Sequence, residues 1–337
     1  MSSAMSMTPP QQGTELRAPF PWFGGKSRVS MHVWQRFGDV PNYVEPFAGS
    51  LAVLLGRPSG WRGIETVNGK DGFIANFWRA LAADPEGVAS AADWPVNECD
   101  QHARHVWLVA QRETLTARLE GDPLYYDARI AGWWVWGLSV WIGGGWCSGQ
   151  GPWSVQDGQL VLGDAGQGVQ RRRVHLGHAG QGVQRQRVHD EDGLVTWMRA
   201  LASRLRRVRV CCGDWTRVCG PTPTVRQGLT AVFLDPPYSG DERAGAIYAL
   251  DSGTVAGDVW EWAREHGDDP LLRIALCGYQ GEHADLPGWT AQRWKASGGY
   301  SGQGGQGRGR VNATRETIWY SPHCLSAHQP TLLDTAP

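Results

Sequence analysis

An α/β fold built on a largely parallel sheet is what this sequence of 337 residues predicts, and three observations predict it. Short apolar runs of strand length recur, among them Ala231–Leu234 and Leu272–Leu276. Segments with helical spacing of apolar residues alternate with them, as at Phe73, Phe77 and Leu81. Two strand-like runs break directly into tight Gly- or Pro-containing turns, the way strands of an α/β sheet end at a ligand edge. With 41% hydrophobic and 19% charged residues the chain can bury a core, which excludes wholesale disorder. Its length suits one large α/β domain with a smaller module, or two average domains.

The elements follow in order. Residues 1–18 carry Ser, Met, Pro and Gln without periodicity and read as a tail, as do residues 325–337. Tyr43-Val44 leads into Glu45-Pro46-Phe47-Ala48-Gly49-Ser50 and then Leu51, Val53, Leu54 and Leu55, which is a strand end, a turn and a helix start. A second short strand is expected over 62–68 and a helix over 74–81. After Asp84-Pro85 a polar stretch with His and Arg leads to a cluster of six tryptophans between Trp133 and Trp153, favouring a compact local core over a base-stacking surface. LGDAGQGVQRRRVH at 162–175 then recurs as LGHAGQGVQRQRVH at 176–189, identical at 12 of 14 positions. Two copies suit a β-ribbon or, equally, a duplicated surface loop. From 194 the texture is globular again: an amphipathic helix over 194–207, then strands at Val208–Cys212, Ala231–Leu234 and Leu272–Leu276.

Charge and cysteine usage narrow the function classes. A net charge of -1 argues against indiscriminate coating of nucleic acid or anionic membrane. The sequence has no apolar run long enough for a membrane span and no secretory signal at Met1, so no membrane partner is expected. Seven cysteines without a C-x-x-C pair fit neither a disulfide framework nor a zinc ribbon, so no metal is expected and the thiols should be reduced. A cytoplasmic protein, in a bacterial or phage-infected host cell, is the expectation.

The sharpest chemical signal is Asp235-Pro236-Pro237-Tyr238. It follows a buried strand, at the carboxyl edge where open α/β sheets bind ligands. The prolines fix the backbone and leave carbonyls without local amide donors. Asp235 and the Pro236 carbonyl can accept both hydrogens of one amino group, and Tyr238 offers a face to a planar ring. Such a set suits the exocyclic amine of a nucleobase. A second strand-end loop, Tyr43–Ser50, contains Gly49, which permits close backbone approach to a ligand. A third segment, Pro21-Trp22-Phe23-Gly24-Gly25-Lys26, holds one of only three lysines.

In this order, PWFGGK, YVEPFAGS, a long insert and FLDPPY, the chain resembles the Dam-type adenine-N6 DNA methyltransferases, over roughly residues 19–81 and 194–320. The resemblance implies a Rossmann-like methyltransferase sheet with an inserted DNA-recognition domain: the methyltransferase domain over 19–84 and 194–324, the insert over 85–193. It implies S-adenosylmethionine as cofactor, held by Trp22, Lys26, Glu45, Phe47, Gly49, Asp214 and Asp235, and double-stranded DNA as partner. Asp235, Pro236, Pro237 and Tyr238 would be catalytic. The expected reaction is methyl transfer to the N6 amine of a flipped adenine; cytosine-N4 methylation and an inactive DNA-binding relative are the alternatives. A cognate restriction endonuclease is a candidate partner.

Two positions depart from the family pattern. Leu51 stands where a small residue is usual. Gly69 stands where an acid should bind the cofactor ribose, and Asp71 or Glu65 is the expected substitute. In the insert, residues 163–209 hold ten Arg against four acids. Arg171, Arg173, Arg185 and Arg187 alternate so as to share one face of a ribbon, which suits contacts to guanine and phosphate.

Overall fold

The computed structural model describes residues 16–20, 22, 25–141, 146–147, 153–156, 159–162, 191–237, 255–280, 286–294 and 316–326. Tyr238, Arg171, Arg173, Arg185 and Arg187, and the duplicated segment beyond Leu162, lie outside the described residues.

The elements run α1 Ser30–Phe37, β1 Asn42–Glu45, α2 Ala52–Leu55, β2 Ile64–Gly69, α3 Gly72–Ala83, α4 Pro85–Ala92, α5 Glu98–Gly121 and α6 Ala128–Val140. There follow a hairpin of β3 Trp153–Gln156 and β4 Gln159–Leu162, then α7 Glu191–Leu205, β5 Val208–Cys212 and β6 Thr230–Leu234. The described chain ends with α8 Val255–His266, β7 Leu272–Tyr279, β8 Thr290–Arg293 and β9 Glu316–Tyr320. The fold is therefore α/β, as the alternation of strand-like and helical segments predicts.

Seven strands form one sheet in the order β5-β2-β1-β6-β7-β9-β8. The first five are parallel, while β9 runs antiparallel to both β7 and β8. Ranked by chain position, the parallel strands read 3-2-1-4-5, so the order reverses between β1 and β6, and a doubly wound sheet binds ligands outside the strand ends at that switch. The sheet is compatible with a Rossmann-like fold.

Alternate residues face opposite layers because side chains along a strand alternate in direction. Tyr43, Phe233, Ala275, Cys277 and Ile318 join one apolar cluster with α1, α2, α3, α4, α6 and α7. Val44, Val232, Leu234, Ile274, Leu276 and Trp319 join a second with α8 and the turn at Trp215–Val218. Burial on both faces explains why the central strands read as continuous apolar runs.

Four successive helices begin at a side-chain cap: Asp71, Asp84, Asn97 and Asp127 accept the amides of Phe73, Gly87, Asp100 and Ile130. Each such cap contributes about 1 kcal/mol. Helices α4 to α6 share their apolar core with α3 and α7, so no break in packing falls at residue 85. Trp134, Trp136, Trp141 and Trp146 are buried in that core, in line with a compact role for the tryptophan cluster.

Candidate active site

The switch between β1 and β6 brings together three segments far apart in sequence. A cleft is lined by Trp22, Gly25 and Lys26, by Glu45, Phe47 and Gly49–Val53, and by Phe233 and Asp235. Six of the eight residues expected at the cofactor, Trp22, Lys26, Glu45, Phe47, Gly49 and Asp235, thus line one space. Pro236 is buried and Pro237 half-buried directly beyond Asp235.

Lys26 is the centre of its charge. It is only 4% exposed, and its Nζ lies 2.9 Å from Asp235 Oδ1 and 3.9 Å from Glu316 Oε2. The Trp294 ring covers it at 5.7 Å. Burial alone would lower the ammonium's pKa, but the Asp235 and Glu316 carboxylates outweigh that and hold it above the ordinary lysine range. Cys277, on β7 beside Asp235, is kept a neutral thiol by burial, and it donates a hydrogen bond to the Asp235 carboxylate.

Glu45 is buried at the end of β1, where its Oε2 accepts the Tyr43 hydroxyl at 2.8 Å. Burial pushes its carboxyl up to about 8; the Tyr43 hydrogen bond opposes this and the nearby Asp235 charge adds to it. At neutral pH Glu45 therefore holds a proton more often than not.

The loop after β1 is fixed by its neighbours. Asn68 Nδ2 donates to the carbonyls of Pro46 and Gly213, the Ala48 amide donates to Asn68, and Trp78 Nε1 donates to Gly49. Gly49 is required for packing: a methyl group there would overlap the Trp22 indole. Close approach at this glycine is thus made by Trp22 itself. Leu51 has φ 53° and ψ 29°, the left-handed region that residues with a side chain disfavour. Holding leucine there costs roughly 1–2 kcal/mol, offset by a side chain that is completely buried.

Other expected residues sit elsewhere. Asp214, beyond the end of β5, accepts from Thr216 N at 3.0 Å and Oγ1 at 2.6 Å, and these bonds hold its carboxyl below the usual range against slight burial. Asp71 caps α3 through the Phe73 amide at 2.8 Å and pairs with Arg112 of α5 at 3.5 Å. Neither is part of the cleft wall. Glu65 lies near the amino end of β2, bound by Arg57 at 3.1 Å and Arg204 at 2.7 Å, and is not part of the cleft wall either. Gly69 ends β2 with its Cα facing Ile74.

Sequence reasoning missed Glu316, Trp294 and Cys277. One signal was available for the first, a single carboxylate heading the buried strand Thr317–Tyr320. The antiparallel pairing of β9 with β7 sets Glu316 opposite Tyr279 and so at the carboxyl edge of the parallel strands.

No protein-family model matches this chain, and no curated protein does either. Among the described residues no helix is long and apolar enough to cross a membrane, and no group of three or more His, Cys, Asp or Glu is placed to hold a metal ion.

Proposed function

We propose that this chain is a site-specific DNA methyltransferase, acting on the N6 amine of a flipped adenine in double-stranded DNA with S-adenosylmethionine as donor. The observation that carries the reading is the convergence of Lys26, the Glu45–Gly49 loop and Asp235 on one cleft at the topological switch point. These are the three segments on which the resemblance to Dam-type enzymes rests.

The residues present suit such a donor. Asp235 gives the cleft wall a negative charge toward a sulfonium and an ammonium, and the half-buried Phe47, 6.0 Å from Trp215, offers a flat apolar surface for an adenine ring. When bound, S-adenosylmethionine supplies an electrophilic methyl group. Asp235 and the Pro236 carbonyl accept the two hydrogens of the target amine, which draws its lone pair out of conjugation with the ring and aims it. Orientation and preorganised acceptors then provide most of the acceleration, without a covalent enzyme intermediate. Extruding the base from the duplex costs a few kcal/mol. Tyr238, outside the described residues, would return about 1–3 kcal/mol of that by stacking. Reading of the sequence around the target falls to the insert and its arginines 171, 173, 185 and 187.

A second reading, a DNA-binding relative without catalysis, is favoured by one observation: no carboxylate from the end of β2 reaches the cleft, because position 69 is glycine and Asp71 is engaged by Phe73 and Arg112. Two measurements separate the readings. Titration calorimetry with S-adenosylmethionine should give measurable heat for an enzyme and none for an inactive relative. Labelled methyl transfer to unmethylated duplex DNA should yield N6-methyladenine, with Asp235→Asn at least about 100-fold slower, about 3 kcal/mol of transition-state stabilisation. Asparagine is the better probe, since Asp235→Ala would also leave buried Lys26 short of its nearest partner. Undiminished transfer by Asp235→Asn would remove Asp235 from the reaction; N4-methylcytosine as product would redirect the reading to cytosine.

A further inference from the structure

We propose that Glu316 is a positioning residue of this site: it shares Lys26 with Asp235, so that the Asp235 carboxylate stays available as an acceptor for the substrate amine. The inference rests on the methyltransferase reading above and assigns a role to a residue that the motif resemblance does not reach.

The argument begins with a conflict inside the cleft. Asp235 is asked to accept a hydrogen bond from an incoming amine, yet a buried ammonium already lies 2.9 Å from its Oδ1. Two opposite charges so close, with Lys26 only 4% exposed, attract strongly, so the ammonium competes with the incoming amine for the electron density of the carboxylate. The sheet supplies a second anion. Strand β9 enters between β7 and β8 in the antiparallel sense, so its first residue arrives at the edge where the parallel strands end. That residue is Glu316, 5% exposed, with its Oε2 3.9 Å from the same Nζ.

Coulomb attraction falls as the inverse of distance, so Glu316 pulls on the ammonium about three-quarters as strongly as Asp235 does, from the ratio of 2.9 to 3.9 Å. Lys26, Asp235 and Glu316 together carry one net negative charge, where Lys26 and Asp235 alone would carry none. Among the described residues, two further titratable groups beside this cluster are compatible with that balance. Cys277 on β7 is a neutral thiol that donates to Asp235, and Glu45 on β1 is mostly protonated at neutral pH. Trp294, at the end of β8, covers Lys26 and donates its backbone amide to the Glu316 carbonyl, which fixes both against the strand. The surplus negative charge thus stays on the two carboxylates, and Asp235 is the one on the cleft wall.

The test uses the full chain with 13C-labelled aspartate, the Asp235 signal being identified by its loss in Asp235→Asn. In Glu316→Gln the Asp235 carboxyl should titrate at least one pH unit lower than in the wild type, because a neighbouring negative charge is gone and Lys26 has one carboxylate fewer to serve. Turnover should fall about tenfold or more, with the KM for S-adenosylmethionine held within about threefold. A purely structural Glu316 predicts a lower melting temperature, an unmoved Asp235 titration and unchanged turnover per folded molecule; that result would overturn the proposal. Should the glutamine variant fail to fold, Glu316→Asp keeps the charge but retracts it, and Asp235 should move in the same direction by less; no movement would again overturn it. A wild type inactive on DNA would end the methyltransferase reading, whereas the titration would still decide whether Glu316 shares Lys26 with Asp235.

Discussion

Replacing Glu45 by glutamine should make the protein more stable at neutral pH and abolish one component of its pH dependence. Glu45 is fully buried at the end of β1, and burial lifts its carboxyl from 4.5 to about 8 against the opposing Tyr43 hydrogen bond. The native state therefore binds this proton more tightly than the unfolded chain does. Stability due to the group is fully present below pH 4.5, falls as pH rises between 4.5 and about 8, and is constant above. By pH 7 the loss is about 3 kcal/mol, from about 1.4 kcal/mol for each pH unit above the unfolded value. Glutamine has nearly the same shape, keeps a carbonyl to accept the Tyr43 hydroxyl, and does not ionise. Urea unfolding of both proteins at pH 5, 6, 7 and 8 is the assay. The stability of Glu45→Gln minus that of the wild type should grow by about 3 kcal/mol from pH 5 to pH 7. A difference that stays constant to within about 0.5 kcal/mol across that range would refute the reasoning, because Glu45 would then ionise as an exposed carboxylate does.

Asp71→Ala removes the α3 cap and the Arg112 pair, so stability should fall by about 1–2 kcal/mol while affinity for S-adenosylmethionine stays within about twofold. Weaker cofactor binding at unchanged stability would return Asp71 to the site. Gly49→Ala forces the Trp22 indole off the loop, and calorimetry should show S-adenosylmethionine affinity reduced at least tenfold; wild-type affinity would mean that the position of Trp22 is irrelevant to the ligand.

The legible parts of the fold were those buried on both sides. Ala231–Leu234 and Leu272–Leu276 lie in the middle of the sheet, covered by both apolar clusters, so composition alone marks them as strands. The edge strand β8, Thr290–Arg293, is largely exposed and reads as an ordinary polar stretch until β9 pairs with it. Helix α5 was hidden for a related reason. Its core contacts are made by Leu108, Leu115 and Leu119, spaced seven and four apart, within 24 residues that are otherwise mostly polar.

The candidate site divides in the same way. Segments that end a buried strand in Pro or Gly turns announce themselves, which is how Glu45, Gly49 and Asp235 were found. Position along the chain misleads where strand direction decides the outcome. Glu65 is four residues from Gly69, yet it lies near the amino end of β2, where it pairs with Arg57 and Arg204 instead of lining the cleft. Glu316 is 81 residues from Asp235 in sequence and adjacent to it through Lys26, because an antiparallel strand brings its first residue to the edge where parallel strands bring their last.

The same topology ties the cleft to helices α5 and α6. Trp22 lies on Gly49 and within 6.5 Å of Trp134 in α6, while Phe20 meets both Trp134 and Phe77 edge-on. On the other side, Arg112 of α5 pairs with Asp71 and donates to the Cys147 carbonyl. Closely packed side chains transmit displacement because they have few low-energy alternatives. A shift of α6 therefore moves the indole that rests on the loop after β1, and a shift of α5 pulls on the cap of α3, whose Trp78 holds the Gly49 carbonyl. The loop after β1 thus meets α6 through Trp22 at Gly49, and reaches α5 through Trp78 of α3 and the Asp71–Arg112 pair at the start of that helix.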